Sequence, residues 1–580
     1  MSVSQGTKTP FFSWRRIAKS AFGVDEPVLL AVVGIPVGLC SGLAAVALNR
    51  SIVSFSTLLR PAWEHWYAVL LPAVGGILSF LVLSALFREG VGHGVPVVVY
   101  SVSRKGGLLR LRSSFSHLLG SLCTIGFGGS AGPEAPIVIS GAAIGSNIAR
   151  LFRLNERRRV AIVGCGVAGA ISAIFNAPIA GIVFAVEVII GEWTPIHLVP
   201  IGIASVVATQ VSRILQGNQI PFDHRQFNIG TLDILSCVGF AVMLSAISVL
   251  ICRILPATER VTARIFGRSW LRAMVGGILV GAIGLFYPDV LGEGYETIRG
   301  IIEHHHQPAL WFAFLLIFAK VLATSLTLGT GSAGGIFAPC LVIGSFAGLA
   351  YRGLLDLVWP SIDWVGGGCF ALLGMAGMIS GVLHAPLTGI FLIVEITGGY
   401  EVILPLILIS VLSSSLSRLA QPASVYNQEL IERGQLLRPR TDGRLLADLH
   451  VMELIEKDIV TLKSDMLLRD FVAIVKQSKQ IHFPVEDPEM GDFLGLISVD
   501  RARSYLLSPE LYDAVVVEEI MESFPEHVSP EDNLIEVMEQ FNRARSGVLP
   551  VVEGGKCLGI LSKAAILNQY RTELMIQETG

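Results

Sequence analysis

Long apolar stretches constrain this chain more than any other feature. PVLLAVVGIPVGLCSGLAAVAL (27–48), WYAVLLPAVGGILSFLVLSALF (66–87), LDILSCVGFAVMLSAISVLICRIL (232–255), ALWFAFLLIFAKVLATSLTL (309–328) and VILPLILISVLSSSL (402–416) are long enough, or nearly so, to span or enter a bilayer. Only 15% of the 580 residues are charged, against about a quarter in a soluble protein. Mean hydropathy is +0.64, and the apolar excess lies before residue 420. The chain therefore reads as a polytopic membrane protein, not a soluble domain with one anchor.

The N-terminus does not read as a cleavable signal. Lys8, Arg15, Arg16 and Lys19 precede the first acid, Asp25. FFSWRRIAKSAFG suggests an amphipathic helix at the membrane surface, giving an interfacial segment over 1–26. Positive charge beside the first span argues for a cytoplasmic N-terminus; the C-terminus is expected on the same side, and the organisation suits an inner or plasma membrane. The net charge of −3 pools a membrane part with a soluble part and decides nothing. The eight cysteines are scattered without a C-x-x-C pair and read as small, mostly buried hydrophobes. His304, His305 and His306 read as a solvated loop, since no Cys, Asp or further His stands nearby at ligand spacing.

The apolar region repeats itself. GSAGPEAPIVISG (129–141) and GSAGGIFAPCLVIG (331–344) open with the same four letters and share an Ala-Pro and an apolar tail. FNAPIAGIVFAVEVI (175–189) is echoed by LHAPLTGIFLIVEIT (383–397), matching at Ala177/Ala385, Pro178/Pro386, Gly181/Gly389, Ile182/Ile390 and Glu187/Glu395. Two halves with one order of landmarks, each broken by Gly and Pro, are the pattern of transporters built from inverted repeats with discontinuous helices. The membrane domain is expected over 27–425, its repeats at about 27–220 and 230–425.

In hydrocarbon, irregular backbone survives only where it lines a polar cavity. A glycine loop that opens a helix exposes several N–H groups and the positive end of the helix dipole. Two such loops facing each other make an anion site without a fixed cation, loose enough for the ion to leave. Close helix packing would account for the glycines alone. It would not account for Glu134, a lone carboxylate in an otherwise uncharged motif.

After a linker at 426–445 the chain turns polar and repeats again. VMELIEKDIVTLKSDMLLRDFVAIVKQSKQIHFPVEDPEMGDFLGLIS (451–498) parallels IMESFPEHVSPEDNLIEVMEQFNRARSGVLPVVEGGKCLGILS (520–562). Each copy offers an amphipathic helix, a strand through Phe483-Pro484-Val485 or Leu549-Pro550-Val551, and a second strand ending in Ser. This α/β unit used twice resembles a tandem CBS-domain pair, at 446–510 and 511–580.

GHGVP (92–96), GPEAP (132–136), GIFAP (335–339) and Val425-Tyr426, in that order, resemble the CLC family of chloride channels and chloride/proton antiporters. The resemblance implies a polytopic α-helical membrane fold with inverted repeats and broken half-helices, ahead of the cytoplasmic CBS tail. It implies a homodimer with one pore per subunit. It makes Glu134 the gating carboxylate, which occupies an anion site and swings away when protonated or displaced by chloride. The amides of Ile336 and Phe337, with Ala338 beside them, would face the central anion; His93 and Gly94 would line it, and the Tyr426 hydroxyl would donate to it from the cytoplasmic side.

Three departures bear on mechanism. His93 stands where the family usually has a serine; an imidazole donates one hydrogen bond and adds charge when protonated, so conduction is expected to be pH-sensitive. Pro133 replaces a residue with an N–H, which weakens the outer site. Val188 stands where the family's antiporters usually carry an inner glutamate, and valine relays no protons. Glu187 is its neighbour, about 100° round a helix, and its repeat partner Glu395 suggests a shared structural role.

The expected function is thus passive, Glu134-gated chloride conduction. The alternative is chloride/proton antiport, with a fluoride exchanger or a nucleotide-sensing membrane protein behind it. The expected partners are the bilayer, chloride and similar anions, with protons as regulators and no nucleic acid. No enzyme constellation is present: there is no nucleophile–base set, phosphate loop or metal cluster, and no metal or cofactor is expected. A nucleotide on the CBS pair would use Ser498 and Asp500. However, the place where such domains commonly carry a ribose-binding Asp holds Arg501 in one copy and Ala565 in the other, which favours a structural tail.

Overall fold

The computed structural model describes residues 26–90, 94–218, 222, 227–302, 309–432, 449–523, 526–544 and 546–579. The expected interfacial helix, His93 and the three-histidine loop lie outside the described residues. The chain divides into two compact units, up to Leu436 and from Leu437.

The first unit is helical, and its two halves run through one series of elements. The first half contains α1 (Glu26–Leu59), α2 (Leu71–Leu81), α3 (Val95–Arg104), α4 (Ser113–Gly126), α5 (Glu134–Leu151), α6 (Glu156–Phe175), α7 (Pro178–Phe184) and α8 (Pro195–Gln216). The second contains α9 (Thr231–Ile265), α10 (Ser269–Phe286), α11 (Tyr295–Ile302), α12 (Leu310–Gly329), α13 (Phe337–Val358), α14 (Gly367–Leu383), α15 (Pro386–Thr397) and α16 (Ile403–Ala420). Nine helices among the described residues are long and apolar enough to cross a membrane. Four shorter apolar ones, including α3, α14 and α15, sit between them. These are the broken segments expected from the Gly and Pro pattern.

Local chemistry sets the breaks. α6 ends at Asn176 and α14 at His384, both left-handed, at φ 54° and 57°. An Ala-Pro follows each, and proline, which lacks an N–H, takes the first position of the next helix. α7 then widens into a π-turn over Ala185–Ile190, a change α15 does not make.

Glycine lets the helices of each half approach to backbone contact. A methyl on Gly141 would overlap the Gly166 carbonyl, and one on Gly166 would overlap that of Gly141. Gly344 and Gly374 make the same reciprocal contact between α13 and α14. Packing by small residues is what membrane helices use where lipid supplies no hydrophobic drive between them. Cys165, Cys237, Cys252, Cys340 and Cys369 are buried in this packing, but Cys40 is exposed. It stands on the outward face of α1 with Leu39 and Leu43, which are exposed as well.

The second unit is two interlocked copies of one α/β motif. β1 (Leu462–Lys463) runs parallel to β2 (His482–Glu486), and β2 pairs antiparallel with β3 (Phe493–Ser498). β3 is flanked by β4 (Glu522–Ser523), which comes from the second copy. The second copy forms the hairpin β5 (Val548–Glu553) and β6 (Lys556–Ser562). Val528 lies parallel to β5, and Glu456 of the first copy pairs with Ile560 of β6. Each sheet is thus edged by the other copy's leading segment. The cores follow: one gathers Leu468, Phe471, Phe483 and Ile497 with Val515 and Val517; the other gathers Leu534, Phe541, Leu549 and Leu561 with Leu449 and Val451.

Candidate functional site

The two glycine phrases meet. The Gly132 amide donates to the Gly335 carbonyl at 2.8 Å, and the Gly335 amide donates back to Gly132 at 2.7 Å. Two extended loops from the two halves thus pair, and helices α5 and α13 start on either side of the bridge. Each start presents N–H groups without an intrahelical partner.

Glu134, the first residue of α5, is buried at 2% exposure. Its Oε1 accepts a hydrogen bond from the Tyr295 hydroxyl at 2.5 Å. Its Oε2 is buried and completes no hydrogen bond. That oxygen adjoins Gly132, and a Cβ at position 132 would overlap the carboxylate and crowd the Ala338 methyl as well. The carboxylate's immediate surroundings include the Ala338 amide and its own amide. A carboxylate is therefore lodged where the beginnings of two helices converge, which is the place those N–H groups make favourable for an anion.

The other expected pore residues gather here as far as they are described. Gly94 caps α3 at φ 74°, and a side chain there would stand 2.9 Å from the Ala135 carbonyl, in the first turn of α5. Ile336 caps α13, and Phe337 opens it. The Phe337 ring lies 5.5 Å from Phe175 and 6.2 Å from Phe184, forming an aromatic wall from the other half. Tyr426 is 3% exposed and stands within electrostatic range of Glu134 and Cys340. Pro133 caps α5 and offers no N–H.

Sequence reasoning missed three residues at this site. Tyr295 starts α11 and donates to Glu134. Lys320 in α12 has no exposed surface; its Nζ donates to the carbonyls of Val290 at 2.9 Å and Gly292 at 3.1 Å. Glu293 lies in the same loop, within electrostatic range of Glu134 and Lys320, with a buried Oε1 that has no partner. A lone lysine inside an apolar span was a readable signal. Nothing local marks Tyr295.

Glu187 and Glu395 are engaged elsewhere. Glu187 accepts from the Leu387 amide at 3.1 Å, the Thr388 amide at 2.8 Å and the Thr388 hydroxyl at 2.7 Å. Glu395 accepts from the amides of Ile179 at 3.0 Å and Ala180 at 2.7 Å. Each carboxylate caps the start of the equivalent helix in the other half, Glu187 that of α15 and Glu395 that of α7. The exchange of equivalent residues is the mark of a pseudo-two-fold relation between the halves. Val188, beside Glu187, is half-buried against the apolar core.

In the tail, Ser498 caps α17 (Val499–Leu506) without a side-chain bond, and Asp500 lies in its first turn. Arg501 is paired with Glu522 at 2.5 Å. Burial pushes His482 below the ordinary histidine value, with nearby Asp500 acting against it.

The voltage gated chloride channel family model matches residues 77–418. The chain belongs to that family. A CBS domain model matches residues 517–571. A protein of Ralstonia nicotianae, named as a ClcB-like chloride channel protein, is 29% identical over 418 residues, covering 69% of this chain and 96% of its own. The H(+)/Cl(-) exchange transporter ClcA of Vibrio cholerae is 28% identical over 382 residues, covering 64% of this chain and 80% of its own. Among solved structures, a slow cyanobacterial Cl-/H+ antiporter superposes with a TM-score of 0.63 at 22% identity, covering 71% of this chain and 99% of its own, a likeness of fold. This CLC-family protein is an integral membrane anion transporter with a C-terminal CBS domain.

Proposed function

We propose that this CLC-family protein conducts chloride passively, with Glu134 as the gate. The observation that carries this reading is the seat of the Glu134 carboxylate. It occupies the junction of two helix starts with one oxygen unpartnered beside Ala338. A chloride ion could use the same donors only after the carboxylate leaves. Chloride would then meet the amides of Ile336, Phe337 and Ala338, with Gly94 and His93 lining the seat and the Tyr426 hydroxyl beside it. His93 would add a proton-dependent charge to the pathway.

The passive part of the reading rests on Glu187 and Val188. Coupled exchange needs a second protonatable group that is free to take up and pass on a proton. Both oxygens of Glu187 are taken up by capping Leu387 and Thr388, and valine holds no proton. The protein would work as a homodimer in an inner or plasma membrane, with both termini cytoplasmic. The CBS pair would act as a structural or dimerising tail, with Arg501 engaged by Glu522 rather than by a nucleotide at Ser498 and Asp500.

Antiport is the second reading, favoured by relatives such as the Vibrio ClcA that are named exchangers. The gate is tested by chloride efflux from liposomes across pH 4.5–8. Wild-type efflux is expected to rise as protons or chloride displace Glu134. Glu134→Ala should stay open at every pH. An unchanged pH profile in that variant would remove Glu134 from the gate.

A further inference from the structure

We infer that Tyr295 is the latch of the gate: a positioning residue whose hydroxyl holds the Glu134 carboxylate in the anion seat, with its own place set by Lys320. The inference rests on Glu134 being the gate. It adds the group that decides how firmly the gate stays shut.

The Tyr295 hydroxyl reaches Glu134 Oε1 at 2.5 Å, within the range of an O–H donating to a charged oxygen. Its position does not come from its own short helix. The loop before it is tied from several sides. Lys320 Nζ holds the carbonyls of Val290 and Gly292. The Gly292 amide donates to the Gly128 carbonyl at 3.3 Å, beside the first glycine phrase. The Thr297 hydroxyl donates to Asp289 at 3.1 Å. Gly292 and Gly294 turn the loop at φ 56° and 82°. Phe222 packs against the Tyr295 ring at 6.1 Å.

Burying an ammonium with no exposed surface strips it of its hydration, which its protein partners must replace. Lys320 spends its hydrogen bonds on the two carbonyls that fix this loop. Asp289 and Glu293 lie around it and offset its charge. Glu293 neighbours the gate without bonding to Tyr295, so the hydroxyl is directed at Glu134 alone. Chloride and carboxylate compete for one seat, and the latch biases that competition towards the carboxylate. A hydrogen bond to a charged group changes such an equilibrium by roughly tenfold or more.

The test uses the full chain in liposomes, with chloride efflux read against chloride concentration at fixed pH. Tyr295→Phe removes the hydroxyl and keeps the ring. It is expected to lower the half-saturating chloride concentration roughly tenfold. In a Glu134→Ala background the same substitution is expected to change nothing, which a merely structural tyrosine would not reproduce. Calorimetric chloride binding in detergent gives a second reading, with roughly tenfold tighter binding expected for Tyr295→Phe. An unchanged chloride dependence in Tyr295→Phe, or an equal shift in the Glu134→Ala background, overturns the latch. If Glu134→Ala itself behaves as wild type, the gate fails and takes the latch with it, an outcome distinct from failure of the latch alone.

Discussion

Replacing Glu187 with alanine tests whether that carboxylate is a structural cap or a proton relay. Glu187 holds two backbone amides and one hydroxyl at the start of α15. Glu395 holds two amides at the start of α7. Removing either leaves helix N–H groups without their acceptor. A side-chain cap is worth about 0.5–2 kcal/mol, and a hydrogen bond to a charged group about 1.5–3 kcal/mol. Both Leu387 and Ile179 are partly exposed, so water recovers part of the loss. The expected cost is about 2–3 kcal/mol for Glu187→Ala and about 2 kcal/mol for Glu395→Ala. Glutamine keeps one acceptor oxygen and should cost about half as much. The assay is thermal unfolding of the purified protein in detergent, paired with chloride efflux. Two destabilised variants that retain Glu134-dependent chloride flux fit the capping role. Full stability in both alanine variants would refute it. A stable Glu187→Gln protein that loses proton movement would make Glu187 a relay.

Gly132→Ala puts a methyl group where Glu134 Oε2 now lies; chloride efflux is expected to become nearly independent of pH, while an intact pH profile would show that the carboxylate does not need this seat. In the tail, burial keeps His482 neutral in the fold, below its ordinary value of 6.5. The unfolded chain therefore binds a proton first as pH falls, and stability should drop as pH goes below about 6.5, levelling off once the folded form also titrates. Hydrogen exchange over 449–571 in the full chain, compared between pH 7.5 and 5.5, reads this directly. His482→Gln should flatten the difference, and an unaltered pH dependence would assign it to another group.

What the sequence reveals divides along the range of the interactions. The membrane spans, the Ala-Pro breaks and the strand ends of the tail are local patterns, and the structure places elements at each. Glu134 was legible because a lone carboxylate in an apolar motif has few explanations. The capping role of Glu187 was legible only through its repeat partner Glu395; the bonds themselves join segments about as far apart as the repeats. Tyr295 was not legible. It lies in an ordinary-looking loop far along the chain from Glu134, and only folding brings the two together. Lys320 stood in plain sight within an apolar span. Its targets, two loop carbonyls, are backbone atoms that no residue pattern encodes. The interlocking of the CBS copies was hidden for the same reason: edge strands are chosen by backbone pairing, not by side-chain type.

The central claim is passive chloride flow through a Glu134 gate, and simultaneous recording of chloride and protons tests it most directly. Purified protein in liposomes is given an outward chloride gradient with no pH gradient, and internal pH is followed as chloride leaves. The account predicts chloride efflux with no linked proton movement, in wild type and in Glu134→Ala alike. Protons driven uphill in wild type and lost in Glu134→Ala would contradict it and make the protein an antiporter, whose second proton group would then have to be sought beyond Val188 and the capped Glu187.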